Sequence, residues 1–222
     1  MFNTVYVREL LTPTDLEEIR NSYGGLVWQD GSATSSSKHK INQQSIVSSE
    51  YPDYVKIDQI ITNRLLEDND YYYMTVSTKF SPAIISKMEV GGKYGIHTDA
   101  PELGHYASTT FLSEPDEYEG GELCLKYDGE IHKYKLPAGS SITYLTGIPH
   151  CVAPVTKGTR MVAINWTTSM FSDITHRGIG GDIERIYDML VENESFETFD
   201  ESTKGLGYLI TELRAKYRRH HA

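Results

Sequence analysis

Cysteine is almost absent from this chain of 222 residues: only Cys124 and Cys151 occur, too few for a disulfide framework and without the paired spacing of a thiolate zinc site. Both read as buried, reduced thiols. No run of apolar residues approaches the roughly 18–20 needed to span a bilayer. The first ten residues lack the basic region and apolar core of a signal peptide. Positive charge is also scarce, with 21 Lys and Arg against 31 Asp and Glu and a formal net charge of −10. A surface that tracks nucleic-acid phosphates needs clustered cations, so neither nucleic acid nor membrane is an expected partner. The expectation is a soluble, cytoplasmic protein.

What is present is an ordinary globular composition, 39% apolar and 11% aromatic. Residues 2–10, FNTVYVREL, read as a short strand. Thr12, Pro13 and Asp15 then supply an N-cap, a first-position proline and a first-turn acid for a helix running to about Tyr23. Residues 29–45 are small and polar without periodicity and read as a long loop of the kind that serves as a lid. Near-helical spacing of Val55, Ile57, Ile60, Ile61, Leu65 and Leu66 predicts a second helix. From 71 to about 170 the texture is β: short runs of Tyr, Val, Ile and Thr broken by Gly and Pro, with Asp128 and Gly129 suited to a type I′ hairpin. Residues 171–222 turn helical again, and the acidic stretch 182–201 and the basic residues 212–222 read as solvated faces. The expected organisation is one domain over 1–222: helical support and lid loop in 1–70, β core in 71–170, and C-terminal helices in 171–222.

Within the β region, His97 and Asp99 stand two residues apart, the spacing at which strand side chains share a face. His150 follows some fifty residues later, with Arg160 beyond it. If Thr156, Lys157 and Gly158 form a three-residue hairpin loop, His150 faces Ile164, and His150, Arg160 and Trp166 point to one side. Arg160 then lies roughly 13 Å along the strand from the His150 level. Two imidazoles and a carboxylate on one face of an octahedral metal form the pattern of non-haem Fe(II) oxygenases, with three positions open. A 2-oxo acid fills two of them and dioxygen the third. The far carboxylate of such an acid needs a cation, and a guanidinium binds it bidentately.

The sequence resembles the prolyl 4-hydroxylase-like 2-oxoglutarate and Fe(II) dioxygenases, most closely the PKHD-type hydroxylases. The resemblance covers roughly 27–170. It rests on Trp28-Gln29-Asp30-Gly31, Asn42-Gln43-Gln44, Tyr94 through Asp99, Phe111-Leu112-Ser113, Tyr118 through Leu123, Leu136 through Gly139, and His150 through Arg160. It implies a mainly β fold with flanking helices, a double-stranded β-helix of the jelly-roll or cupin-like kind. It implies His97, Asp99 and His150 as catalytic iron ligands, Arg160 as the 2-oxoglutarate anchor, and Tyr94 bordering the cosubstrate. Fe(II), 2-oxoglutarate and O2, with ascorbate as an accessory cofactor, follow from it. So does hydroxylation of an unactivated C–H with release of succinate and CO2, on a prolyl residue of a peptide or protein or on a small molecule. Asp99 favours hydroxylation over halogenation, because a small residue there would open a halide position. Two residues depart from the pattern: Met88 and Phe111 stand where relatives carry tyrosines, and neither can hydrogen-bond a carboxylate. The rival readings are a non-catalytic β-helix binding module and a cupin-like enzyme with another metal; Arg160 separates the last, which needs no cation there.

Overall fold

A computed structural model describes residues 5–34, 39–192 and 206–222. The chain opens with strand β1 (Val5–Glu9) and helix α1 (Pro13–Asn21). Thr12 and Asp15 close a reciprocal capping box at the start of α1, and the chain then tightens into a 3-10 turn at Tyr23–Gly25. Short strands β2 (Trp28–Asp30), β3 (Lys40–Ile41) and β4 (Gln43–Ser45) precede helices α2 (Pro52–Glu67) and α3 (Asn69–Thr75). Strands β5 (Ser77–Phe80), β6 (Ile84–Met88), β7 (Lys93–His97), β8 (Tyr106–Phe111), β9 (Tyr118–Gly120), β10 (Leu123–Tyr127) and β11 (Glu130–Tyr134) follow. The rest is β12 (Ser140–Leu145), β13 (His150–Val152), β14 (Val155–Gly158), β15 (Arg160–Ser169), α4 (Ile174–Glu192) and α5 (Leu206–His221). Among the described residues no helix is long and apolar enough to cross a membrane.

The described residues fall into two compact units, one between 5 and 67 and between 80 and 167, the other between 68 and 79 and from 168 onward. In the first, most strands belong to two antiparallel sheets, and β9 and β14 pair by themselves in a third, small one. The larger sheet runs β1-β12-β8-β15-β6-β4-β2, and the smaller runs β11-β10-β13-β7-β3. This is the double-stranded β-helix that the sequence led us to expect. The inward positions of both sheets close one core: Ala107, Phe111, Ile142, Tyr144 and Val162 from the larger, Leu123 and Leu125 from the smaller. Helix α2 buries Ile57, Ile61 and Leu65 at helical spacing, as the periodicity predicts, whereas Leu66 is exposed. At the β10–β11 hairpin Asp128 and Gly129 both have positive φ, 51° and 82°, the geometry of a type I′ turn.

Four expectations need correction. Residues 29–45 are not one loop: β2 and β4 pair and extend the larger sheet, and β3 extends the smaller one. Backbone pairing needs no apolar side chains, and the Asn42 amide donates to Ser86 Oγ at 2.8 Å to hold the polar segment down. Residues 35–38 of the expected lid lie outside the described residues. The β region does not begin at Tyr71, because Asp68 caps α3 by accepting from the Tyr71 N–H at 2.9 Å. The hairpin expected at 156–158 does not form: β14 pairs with β9, and β13 and β15 belong to different sheets. His150 therefore faces His97 and Leu125, not Ile164.

In the second unit the acidic stretch is not simply a solvated face. Glu184 of α4 is 2% exposed and accepts from Arg214 at 2.9 Å and Arg218 at 2.8 Å, both on α5. A buried carboxylate is tolerable there because two guanidiniums hydrogen-bond it.

Candidate metal centre and anion site

β7 carries the first of the singled-out residues, and its pairing with β13 is irregular. His150 stands opposite His97 and Val152 opposite Tyr94, so Gly95 and Ile96 together oppose the single residue Cys151. Such a bulge resets strand parity. Tyr94 and His97, three residues apart, thereby turn to the same inner face and stack with ring centroids 3.7 Å apart, while Ile96 points out, 80% exposed. Asp99 follows just after the strand end, tied by its backbone N–H to the Thr146 carbonyl at 3.1 Å.

These placements bring His97, Asp99 and His150 together, with one donor atom from each lying within 4.8 Å of the others. His97 Nε2 is 3.9 Å and His150 Nε2 3.7 Å from Asp99 Oδ1. Each imidazole spends its other nitrogen on the backbone: His97 Nδ1 on the Gly95 carbonyl and His150 Nδ1 on the Ile148 carbonyl, both at 2.8 Å. In the neutral rings Nδ1–H donates, and the Nε2 lone pairs face one another across the site. Trp166 donates its indole N–H to Asp99 Oδ2 at 2.9 Å and leaves Oδ1 toward the histidines. Burial, and next the neighbouring His150, hold the His97 imidazole below its ordinary range. Three converging lone-pair donors with nothing bonded between them fit a first-row divalent ion with an open face.

Arg160, at the start of β15, is 1% exposed, and among the described residues no carboxylate pairs with it. Its Nε and the Tyr118 hydroxyl are buried without a hydrogen-bond partner. Burial lowers the guanidinium from its ordinary value, yet it remains a cation. Met88 is its cross-strand neighbour, the Phe111 ring lies 5.7 Å from its carbon, and Met88, Tyr118 and Val155 form one apolar cluster. Gly121 crosses close by at φ +68°, where a Cβ would lie 3.1 Å from both Arg160 Cδ and Tyr118 Cε2. A buried cation and an orphaned phenol in an apolar wall fit the distal carboxylate of a short diacid. Sequence alone gives Tyr118 a place in a motif but no role, and Trp166 only an orientation. Both roles depend on pairing across strands far apart in the chain. Trp166 does turn toward Asp99, although not through the hairpin expected for it.

The sequence profile of the 2OG-Fe(II) oxygenase superfamily matches residues 83–168. A PKHD-type hydroxylase of Nitrobacter winogradskyi is 30% identical over 200 residues, covering 84% of this chain and 88% of its own. One from Parvibaculum lavamentivorans is 32% identical over 197 residues, with 81% and 86% covered. The fold is shared with a Pseudomonas putida prolyl-4-hydroxylase (TM-score 0.56, 18% identity, 75% of this chain and 92% of that one). It is shared also with a Trichoplax adhaerens prolyl hydroxylase solved with a hypoxia-inducible-factor peptide fragment (TM-score 0.59, 13% identity, 75% and 84%).

Proposed function

The chain belongs to the PKHD-type hydroxylases of the 2OG-Fe(II) oxygenase superfamily, and on that premise we propose that it hydroxylates a prolyl residue in a peptide or protein, with His97, Asp99 and His150 holding the iron. As a 2-oxoglutarate-dependent hydroxylase it uses Fe(II), 2-oxoglutarate and O2. The observation that carries the reading is the pairing of a His-Asp-His donor set with a buried, uncompensated arginine in the same β-helix. When bound, the iron supplies the oxidising chemistry that couples decarboxylation of 2-oxoglutarate to C–H hydroxylation.

The protein's own residues set the stage for that chemistry. His97 and His150 offer Nε2 because the backbone has fixed their tautomers. Asp99 offers Oδ1, since Trp166 holds Oδ2. Tyr94 stacks on His97 and limits its rotation. Arg160 and Tyr118 bind the far carboxylate of 2-oxoglutarate, and Met88 and Phe111 keep water from that pair. Their apolar side chains thus suit the positions where relatives carry tyrosines.

The test is incubation with Fe(II), 2-oxoglutarate and O2 against a pool of proline-containing peptides, followed by mass spectrometry and succinate assay. One oxygen on proline, matched by one succinate and abolished in Asp99→Ala, is expected. Oxygen found only on other residues, or only on small molecules from a metabolite extract, rejects the prolyl assignment.

A further inference from the structure

The two cysteines, 27 positions apart in sequence, are direct cross-strand partners: Cys124 of β10 faces Cys151 of β13. The flanking bonds, Ala153 N–H to Glu122 O at 3.0 Å and Lys126 N–H to Pro149 O at 2.9 Å, fix the ladder's phase. With that alternation Cys124 and Cys151 form a hydrogen-bonded pair, in which Cα atoms lie about 5.5 Å apart. Disulfides form across Cα separations of roughly 4.4–6.8 Å. Leu123, Leu125 and His150 point inward, so both thiols project from the outer face of the smaller sheet. Cys124 is buried at 8% exposure, while Cys151 is partly exposed. Burial, and next the neighbouring Cys151, push the Cys124 thiol up to about 11, so Cys124 stays protonated and is the resolving partner, not the thiol that meets peroxide first.

We propose that Cys124 and Cys151 are a modification site, a dithiol that hydrogen peroxide converts reversibly to an intrachain disulfide directly behind His150. The partly exposed Cys151 reacts first: its sulfur attacks one peroxide oxygen, the O–O bond breaks, and water leaves a sulfenic acid. The Cys124 sulfur then attacks Cys151, the S–S bond forms as S–O breaks, and the departing hydroxide takes the remaining thiol proton as water. Two thiols lose two electrons and two protons, and one peroxide becomes two waters. Peroxide is a suitable oxidant for a protein whose chemistry brings iron and O2 together. A disulfide needs Cβ atoms about 3.8 Å apart, closer than a hydrogen-bonded strand pair holds them, so forming it draws β13 toward β10. β13 can give, because Cys151 stands opposite the bulge of β7. Strain of this kind makes a disulfide easy to reduce, as a regulatory bond must be.

Its effect on the metal, which rests on His150 being an iron ligand, is to shift Nε2 away from Asp99 Oδ1. The full chain, kept metal-free with a chelator, is treated with peroxide, and its thiols are counted by alkylation and intact mass. The expected result is two thiols falling to none, a loss of two hydrogens, and recovery with dithiothreitol. In Cys124→Ser, Cys151 gains oxygen instead, and in Cys151→Ser, Cys124 stays reduced; circular dichroism checks that both variants fold. Persistent thiols, oxygen accumulating on Cys151 of the parent, or a bond between two chains overturns the proposal. After chelator removal, Mn(II) titration followed by electron paramagnetic resonance reads the coupling. Oxidised protein should bind about tenfold more weakly than reduced. Equal affinities overturn the coupling to His150, whereas no binding by reduced protein overturns the ligand assignment itself.

Discussion

Trp166 and Asp99, 67 residues apart in sequence, are joined by an indole N–H to carboxylate hydrogen bond of 2.9 Å. That bond decides which oxygen of Asp99 faces the two histidines. A carboxylate free to rotate would offer either oxygen and would lose ordering entropy on binding a metal; this one is already oriented.

Trp166→Phe keeps the ring and removes only the donor. Metal affinity should fall about 10- to 100-fold, the usual effect of deleting a partner of a metal ligand. Isothermal titration with Mn(II) measures it, and an affinity equal to the parent's would show that Asp99 needs no such restraint.

Arg160→Ala should weaken 2-oxoglutarate binding by about 2–5 kcal/mol while leaving Mn(II) affinity nearly unchanged, because the deleted cation leaves a buried carboxylate without its partner. Lysine should rescue only part, since it lacks the planar fork. Tyr118→Phe should cost about 1 kcal/mol, the worth of one hydrogen bond. Superimposable 2-oxoglutarate titrations for Arg160→Ala and parent would remove Arg160 from the site.

Gly121→Ala tests the crowding around that anchor. The residue has φ +68°, and its new Cβ would press on Arg160 Cδ, Tyr118 Cε2 and Val155 Cγ2, each at 3.1 Å. Backbone strain costs on the order of 1–3 kcal/mol, so the melting temperature should fall. The dissociation constant for 2-oxoglutarate should rise, and metal binding should persist. Parent-like values of both quantities would refute the close approach.

The metal-free protein should lose stability as pH falls below the ordinary histidine value of 6.5. Burial, then the proximity of His150, lowers the folded pKa of His97, so in this window the unfolded chain takes up a proton that the folded chain refuses. Stability is therefore retained above 6.5 and lost on acidification toward the folded value. Urea midpoints about one pH unit on either side of 6.5 measure the slope. His97→Asn should flatten it, and an unchanged slope in that variant would assign the dependence elsewhere.

The site was legible in sequence where its residues are close together or tied to a recognisable motif. His97 and Asp99 sit two apart, and the motif around His150 and Arg160 marks the other half. What could not be read were the strand partners. Local spacing cannot tell whether His150 and Arg160 share a hairpin or stand in separate sheets, because that is settled by β7, β8 and β10 elsewhere in the chain. The bulge that turns Tyr94 and His97 to one face has no signature beyond Gly95. Polar β2 and β4 read as loop because their pairing is carried by backbone groups, to which composition is blind. Glu184 read as one more surface acid, since its guanidinium partners lie 30 and 34 residues away.

If Arg160 anchors 2-oxoglutarate as proposed, its unmatched charge also makes the cosubstrate a folding ligand. The chain's own side chains leave that guanidinium desolvated without a counter-ion, so Arg160→Met should be neutral to stabilising when 2-oxoglutarate is absent, in contrast to its loss of binding. The parent gains what the variant cannot: at about a hundred times its dissociation constant, a ligand that binds only the folded state adds about 2.7 kcal/mol. On the proposed anchoring, the cosubstrate thereby completes the core, and the melting temperature should climb with 2-oxoglutarate concentration in the parent and not in Arg160→Met.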